Sequence, residues 1–188
     1  MQHSHELRVP RDRIAVLIGS DGETKKRLEV ELGVKLQVDS KEGDITLFGD
    51  DAIMLYTGKE IVRAVSRGFN PETALLLLKT DYAFELIDLS DYSKHQNHQQ
   101  RLKGRIIGSQ GKTRHIIEEA TEGFVCVYGK TIGVIAPVEN ITTAKQAIHN
   151  LLSGSPHSSV YRWLDKKRRE LKREQALGAL ETRPRGEY

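Results

Sequence analysis

Val16-Leu-Ile-Gly-Ser-Asp-Gly22 returns later in the chain as Arg105-Ile-Ile-Gly-Ser-Gln-Gly111. Each copy sets apolar residues before Gly-Ser-x-Gly, then a charged residue and Thr. Gly19, Ser20, Gly22 and Thr24 align with Gly108, Ser109, Gly111 and Thr113. Lys26-Arg27 is echoed only loosely by Arg114-His115. A motif repeated in this way indicates a chain built twice on one plan.

The residues flanking each copy extend the repeat. Before the first loop, Leu7 to Val9 alternates and ends at Pro10, as a first or edge strand does. Asp12 is placed to cap a short helix over 13–18, which Gly19 stops. A second helix is expected over 23–32, ended by Gly33. Strands over 34–38 and 44–48 flank a turn at 39–43. Asp50 or Asp51 opens a longer helix that closes at Gly68. The second unit has the same order: strand 82–89, polar stretch 90–100, short helix 101–107, loop, helix 112–120, strands 124–128 and 131–136, and a helix after Glu139 that Gly154 ends. Between the units, Asn70-Pro-Glu-Thr73 is a helix start, with Asn as cap and Pro in the first turn. The helix it opens, through Lys79, is expected to join the units and cover apolar surface. These boundaries divide the chain into a first domain at 5–69, a linker helix at 70–80, a second domain at 81–154, a basic helix at 155–180 and a loose tail at 181–188.

The bulk properties agree with two small domains. The chain has 188 residues, 38% hydrophobic and 29% charged, with a formal net charge of +3. That size supports modest cores. The charge is mild overall but gathers in Lys166-Lys-Arg-Arg169, Lys172 and Arg173, beside Val160, Trp163 and Leu164. This reads as a basic helix with one apolar edge. It is either a solvated helix docked by its aromatic, an extension of a nucleic-acid surface, or a partner-protein helix. One cysteine, Cys126, leaves no disulfide framework and no thiolate cluster. The longest apolar run, Ala74 to Leu78, is too short to span a bilayer, and the start lacks an apolar signal segment. A cytoplasmic protein without membrane contact is expected.

The loops suggest the chemistry. A lone Gly-x-x-Gly is ordinarily a tight turn. Two copies in one frame, each opening a helix, are different: glycines allow close backbone approach, and the helix start presents N–H groups that suit a phosphate. Ile106 with Ile107, and Leu17 with Ile18, would line an apolar groove for bases. The Walker pattern and the dinucleotide fingerprint are both absent. His95-x-x-His98 lacks a third ligand, and no nucleophile accompanies the acids. Neither catalysis, a metal nor a cofactor is expected.

On these residues each unit resembles a type I K-homology (KH) RNA-binding domain. Arg67-Gly-Phe-Asn-Pro-Glu-Thr-Ala-Leu75 resembles the inter-domain segment of KH proteins of small-subunit assembly. The whole resembles the archaeal branch of the family that partners the Nob endonuclease and the rRNA adenine dimethylase. The resemblance implies an α/β (α+β) fold: two tandem KH domains, each a three-stranded sheet with helices on one face, and a basic C-terminal helix. It implies a non-enzymatic factor that binds single-stranded rRNA near the 3′ end of the small-subunit rRNA in the pre-small ribosomal subunit. The endonuclease and the dimethylase are the implied partners. In eukaryotic members the first glycine loop is degenerate; here both are intact.

The loops differ in charge. The expected RNA contacts of the second are Gly108, Ser109, Gln110, Gly111 and Lys112, with Ile106 and Ile107 on bases and Arg101, Lys103, Arg105 and Arg114 on phosphates. Those of the first are Gly19, Ser20, Asp21, Gly22, Lys25 and Lys26. Asp21 and Glu23 put two acids where a phosphate would sit, so the second loop is the better site. The rival reading is a protein-interaction scaffold or a general single-stranded RNA binder.

Overall fold

Pro10 opens the first helix of the chain, and Asp51 opens a longer one by accepting from the Ile53 and Met54 amides at 2.8 and 3.1 Å. From such starts the computed structural model, which describes residues 3–39 and 42–181, builds the same order twice. The first unit runs β1 (His3–Arg8), α1 (Arg11–Ile18), α2 (Glu23–Leu32), β2 (Lys35–Asp39), β3 (Asp44–Gly49) and α3 (Ala52–Ser66). A four-residue α4 (Pro71–Ala74) follows, capped by Asn70 through the Thr73 amide at 3.0 Å. The second unit runs β4 (Tyr82–Asp88), α5 (Gln96–Ile107), α6 (Lys112–Thr121), β5 (Phe124–Tyr128), β6 (Thr131–Pro137) and α7 (Val138–Leu152). Then comes α8 (His157–Glu181). Of the tail expected at 181–188, Glu181 instead ends α8, and residues 182–188 lie outside the described residues.

The two sheets are antiparallel, with strand orders β1-β3-β2 and β4-β6-β5. The last strand of each unit is central, so each sheet carries one crossover. Alternation sets the faces. In the first sheet Leu36, Ile45 and Leu47 point to the helices and are almost fully buried with Leu28, Leu32, Leu55 and Ile61. In the second, Val125, Ile132 and Val134 meet Ile106, Ile117, Ala144 and Ile148.

The far face of the second sheet is not open. Ile135 is fully buried in the core of the first unit, with Phe69, Ala74 and Leu75, and with Phe84 and Cys126 against it. Phe69 and Phe84 meet edge-on at 6.0 Å. A Cβ on Gly133 would come 2.6 Å from the Phe69 ring, so this approach requires glycine. This explains why β6 is buried along Thr131 to Ala136 and reads as an almost unbroken apolar run. It also corrects the reading of the linker. Pro71–Ala74 is one turn of α-helix, Leu75–Leu78 is a 3-10 turn, and Lys79 is extended. The union of the units rests on Phe69 and the sheet face as much as on the linker.

Two helix starts differ from expectation. Asp12 is not a cap; it lies in the first turn of α1 and accepts from the Tyr128 hydroxyl. Tyr128 is thereby tied to the first unit rather than presented to a base, and burial together with the Asp12 bond raises its phenol pKa. α5 begins at Gln96, five residues before the expected start, because Ser93 and His95 turn the chain there: Ser93 Oγ accepts from the His95 amide at 3.2 Å. Cys126, on the sheet face covered by the first unit, has its thiol pKa raised by burial.

Candidate nucleic-acid interface

Both glycine loops have one geometry. Gly19 and Gly108 have φ 73° with ψ 178° and 176°, a region open almost only to glycine. Asp21 and Gln110 both sit at φ 52°, and Gly22 and Gly111 at φ 75° and 77°. Gly108 is also sterically locked: a Cβ there would meet Thr113 Oγ1 at 2.2 Å and the Thr113 nitrogen at 2.7 Å. Gly111 has open space around the same position. Neither α2 nor α6 has a side-chain cap, so the N–H groups of their first turns face the loop without one.

The surroundings of the loops are unequal. Beside the second, Arg101, Ser109, Gln110 and Lys112 are exposed and Lys103 is half-buried. Among the described residues Arg101, Lys103 and Lys112 have no acidic partner. Beside the first, Lys25 faces Glu29 at 4.0 Å and Arg27 binds Glu31 at 2.8 Å, a pair that raises the guanidinium pKa further. The hollow at that loop is lined by Asp21, Glu23 and Glu31 as well as Lys26. The net field there is close to neutral, and two of its cations are already held.

Four of the expected residues are placed differently from what their sequence suggests. Ile106 is fully buried in the core, whereas Ile107 is 38% exposed. Leu17 is likewise buried and Ile18 only partly so. Adjacent helical residues point about 100° apart, so only one of each pair can face a groove. Arg105 lines the hollow beside the loop, but its guanidinium is committed elsewhere. Its Nε and Nη2 donate to the Leu151 and Ser155 carbonyls at 2.9 and 2.6 Å, closing the C-terminal end of α7. In the first unit Arg13 does the same for α3, through the Val65 and Phe69 carbonyls. Arg114 is exposed but shares its charge with Glu118 at 3.7 Å.

Two residues at the site were not among the expected contacts. His157 Nε2 lies 2.9 Å from the Arg105 carbonyl oxygen, and the Tyr161 hydroxyl lies 2.7 Å from Thr113 Oγ1. Both fall within the basic helix expected at 155–180, where an i, i+4 spacing gives them one face. That this face meets the glycine loop is decided by the packing of α8 on α5 and α6.

The comparisons with known proteins agree with this geometry. Residues 4–64 match the KH domain, and residues 83–169 match the eukaryotic type KH-domain of type I. A KH domain-containing protein of Methanocaldococcus jannaschii is 43% identical over 89% of this chain and 75% of its own length. Dim2p of Pyrococcus horikoshii, solved by crystallography, is 41% identical with a TM-score of 0.82, covering 87% of this chain and 99% of that one.

The chain belongs to the Dim2/PNO1 family of tandem KH-domain proteins. A second P. horikoshii structure, described as an a/eIF2α–aDim2p–rRNA complex, is 40% identical with a TM-score of 0.84, covering 90% of this chain and 96% of that one. The family extends to the pre-rRNA-processing protein pno1 of Aspergillus oryzae, 32% identical over 70% of this chain. The chain spans 53% of that relative's length. No helix among the described residues is long and apolar enough to cross a membrane. Among the same residues, no three His, Cys, Asp or Glu side chains converge as metal ligands would.

Proposed function

We propose that the chain is a non-enzymatic, cytoplasmic assembly factor of the small ribosomal subunit that holds single-stranded rRNA near its 3′ end, chiefly through the second glycine loop. The observation that carries this reading is the inequality of the loops: the same backbone geometry is set among unpaired cations at Gly108–Gly111 and among acids at Gly19–Gly22. The rRNA in the relative's complex supports the ligand class. In this reading the backbone of Gly108 to Gly111 and the start of α6 hold phosphates with Ser109, Gln110 and Lys112. Lys103 and Arg114 add field, and Ile107 supplies apolar contact for a base. The first loop, with Gly19, Ser20, Asp21, Gly22, Lys25 and Lys26, is a weaker clamp.

The test is Ser109→Asp with Gln110→Asp. Aspartate already occupies the left-handed position of the first loop at φ 52°, so the fold tolerates it. Affinity for a short single-stranded rRNA segment should fall by at least about tenfold, because two carboxylates face the phosphate. Ser20→Asp should cost much less. Unchanged affinity for the second-loop variant would overturn the reading.

A protein contact by the first unit is the second reading, favoured by Ile53 and Tyr56 of α3, which are 77% and 57% exposed beside half-buried Leu77 and Leu78. The rRNA-trimming endonuclease and the adenine dimethylase are the partners to try. Calorimetric binding of either that survives the second-loop change and is lost with Ile53→Glu and Tyr56→Glu supports it; retention in the α3 variant refutes it.

A further inference from the structure

The start of α8 does more than follow the second KH unit. It forms one side of an open surface hollow of about 460 Å³ whose other sides are the end of α5, the loop itself and the start of α6 at Lys112 and Thr113. That volume is in the range of small-ligand sites. The lining side chains not already held by the fold are Arg101, Ser109 and Lys112, beside His157 and Tyr161; Arg105 and Thr113 also line it but are engaged by the Leu151 and Ser155 carbonyls and by Tyr161. No acid lines it. His157 and Tyr161 are half-buried and their rings meet edge-on at 6.0 Å. Both are anchored, His157 to the Arg105 carbonyl and Tyr161 to Thr113, so the aromatic wall is preorganised rather than assembled on binding.

We propose that this hollow is an additional nucleotide subsite, in which the base-flanking residue of the bound strand packs on the His157 and Tyr161 rings while Arg101 and Lys112 take its phosphate. The inference rests on the reading of the second loop as an RNA clamp. Its basis is that aromatic faces interleaved with unpaired cations suit a single-stranded nucleotide, whose base has a π-face and whose backbone carries the charge. Among the described residues the first unit has no counterpart: the helix that follows α3 is the single turn Pro71–Ala74 without an aromatic, and Glu23 stands where Lys112 does. The tandem repeat is thus broken by α8, which lengthens the RNA footprint of the second unit alone.

The length of the footprint is the test. A KH loop clamps about four nucleotides. Fluorescence anisotropy with fluorescein-labelled oligoribonucleotides of four and six residues, of mixed sequence, reads the gain from two more. The intact chain should bind the six-residue probe about tenfold tighter than the four-residue one, the scale of one stacked base. In His157→Ala, and separately in Arg101→Ala, that ratio should collapse to about twofold. Arg101 is exposed and makes no hydrogen bond or ion pair in the structure, so its variant keeps the result readable if the His157 change loosens α8. Equal affinity for the two lengths in the intact chain, or a ratio unchanged in both variants, overturns the subsite while leaving the loop clamp standing. Failure of the intact chain to bind either probe overturns both.

Discussion

Tyr161 Oη and Thr113 Oγ1 lie 2.7 Å apart, joining the C-terminal helix to the residue that lies directly beneath Gly108. Thr113 is 1% exposed, so its hydroxyl depends on this partner. The bond links the two parts of the site, glycine loop and α8, alongside the contact of His157 with the Arg105 carbonyl.

Removing that hydroxyl pair should show coupling. Tyr161→Phe and Thr113→Val are each expected to lower unfolding free energy by about 1 kcal/mol, and the double variant by less than their sum. Denaturant unfolding of the four proteins in the cycle measures it. Strict additivity would mean that the two hydroxyls do not stabilise one another.

The glycines of one loop should not be equivalent. Gly108→Ala places a methyl within 2.2 Å of Thr113 Oγ1 and 2.7 Å of its backbone nitrogen, at a backbone angle reserved for glycine, and should cost more than about 2 kcal/mol. Gly111→Ala meets open space at φ 77° and should cost about 1 kcal/mol, the left-handed penalty alone. Thermal unfolding that ranks them the other way would contradict the loop geometry.

Arg105 is a structural side chain, and lysine should not replace it. A single ammonium cannot span the Leu151 and Ser155 carbonyls that the guanidinium joins. Arg105→Lys and Arg105→Ala should both destabilise by roughly 1.5–3 kcal/mol, since charged hydrogen bonds to helix-end carbonyls are lost. An unfolding midpoint for Arg105→Lys equal to that of the intact chain would refute this role. Arg13, bonded to the Val65 and Phe69 carbonyls, should behave alike.

Lys112 carries charge to the site without bearing on the fold. It is exposed and unpaired. Lys112→Ala should leave the melting temperature unchanged and make the dependence of RNA affinity on salt shallower by about 0.7 in log–log slope, the value for one phosphate contact on a single strand. Lys25→Ala, where the lysine already faces Glu29 at 4.0 Å, should change the slope less. Equal slopes for the intact chain and Lys112→Ala would remove Lys112 from the interface.

Asp88 should contribute to the acid limb of stability. The Ser90 amide donates to it at 2.8 Å and holds its pKa below the ordinary value, with Lys130 assisting. A carboxylate lowered on folding stabilises the native state above its unfolded pKa, about 3.9. That contribution is lost as pH falls through the lower native value. Asp88→Asn keeps an acceptor for the Ser90 amide and should flatten the decline in stability below about pH 4, followed by denaturant unfolding at several pH values. An unchanged acid limb in the variant would show that Asp88 has no part in it.

Much of this architecture was legible without coordinates. Asn70 and Asp51 cap where their side chains predict, because a cap is a contact between near neighbours. The repeat exposed both loops and their glycines, since the left-handed turn must be encoded locally. The limits were equally specific. Ile106 and Ile107 are chemically alike, and which one faces the core depends on helix phase against a sheet that sequence does not position. Arg105 reads as a free cation until the end of α7 is placed beside it. The early start of α5 was hidden because Gln96 to Gln100 is polar and, Gln99 apart, exposed on a helix with only one buried edge.

Two KH units, their strand and helix order, and the difference in charge between their loops were determined by the sequence alone, because periodicity, caps, glycine turns and local charge act over a few residues. Tertiary structure decided what long separations bring together: the first unit covering the second sheet through Phe69 and Ile135, the arginines closing the helix ends, and His157 and Tyr161 meeting the glycine loop across some 50 residues, with separations of 52 to Arg105 and 48 to Thr113. Such contacts follow from how whole faces bury one another. No residue carries them in its own neighbourhood.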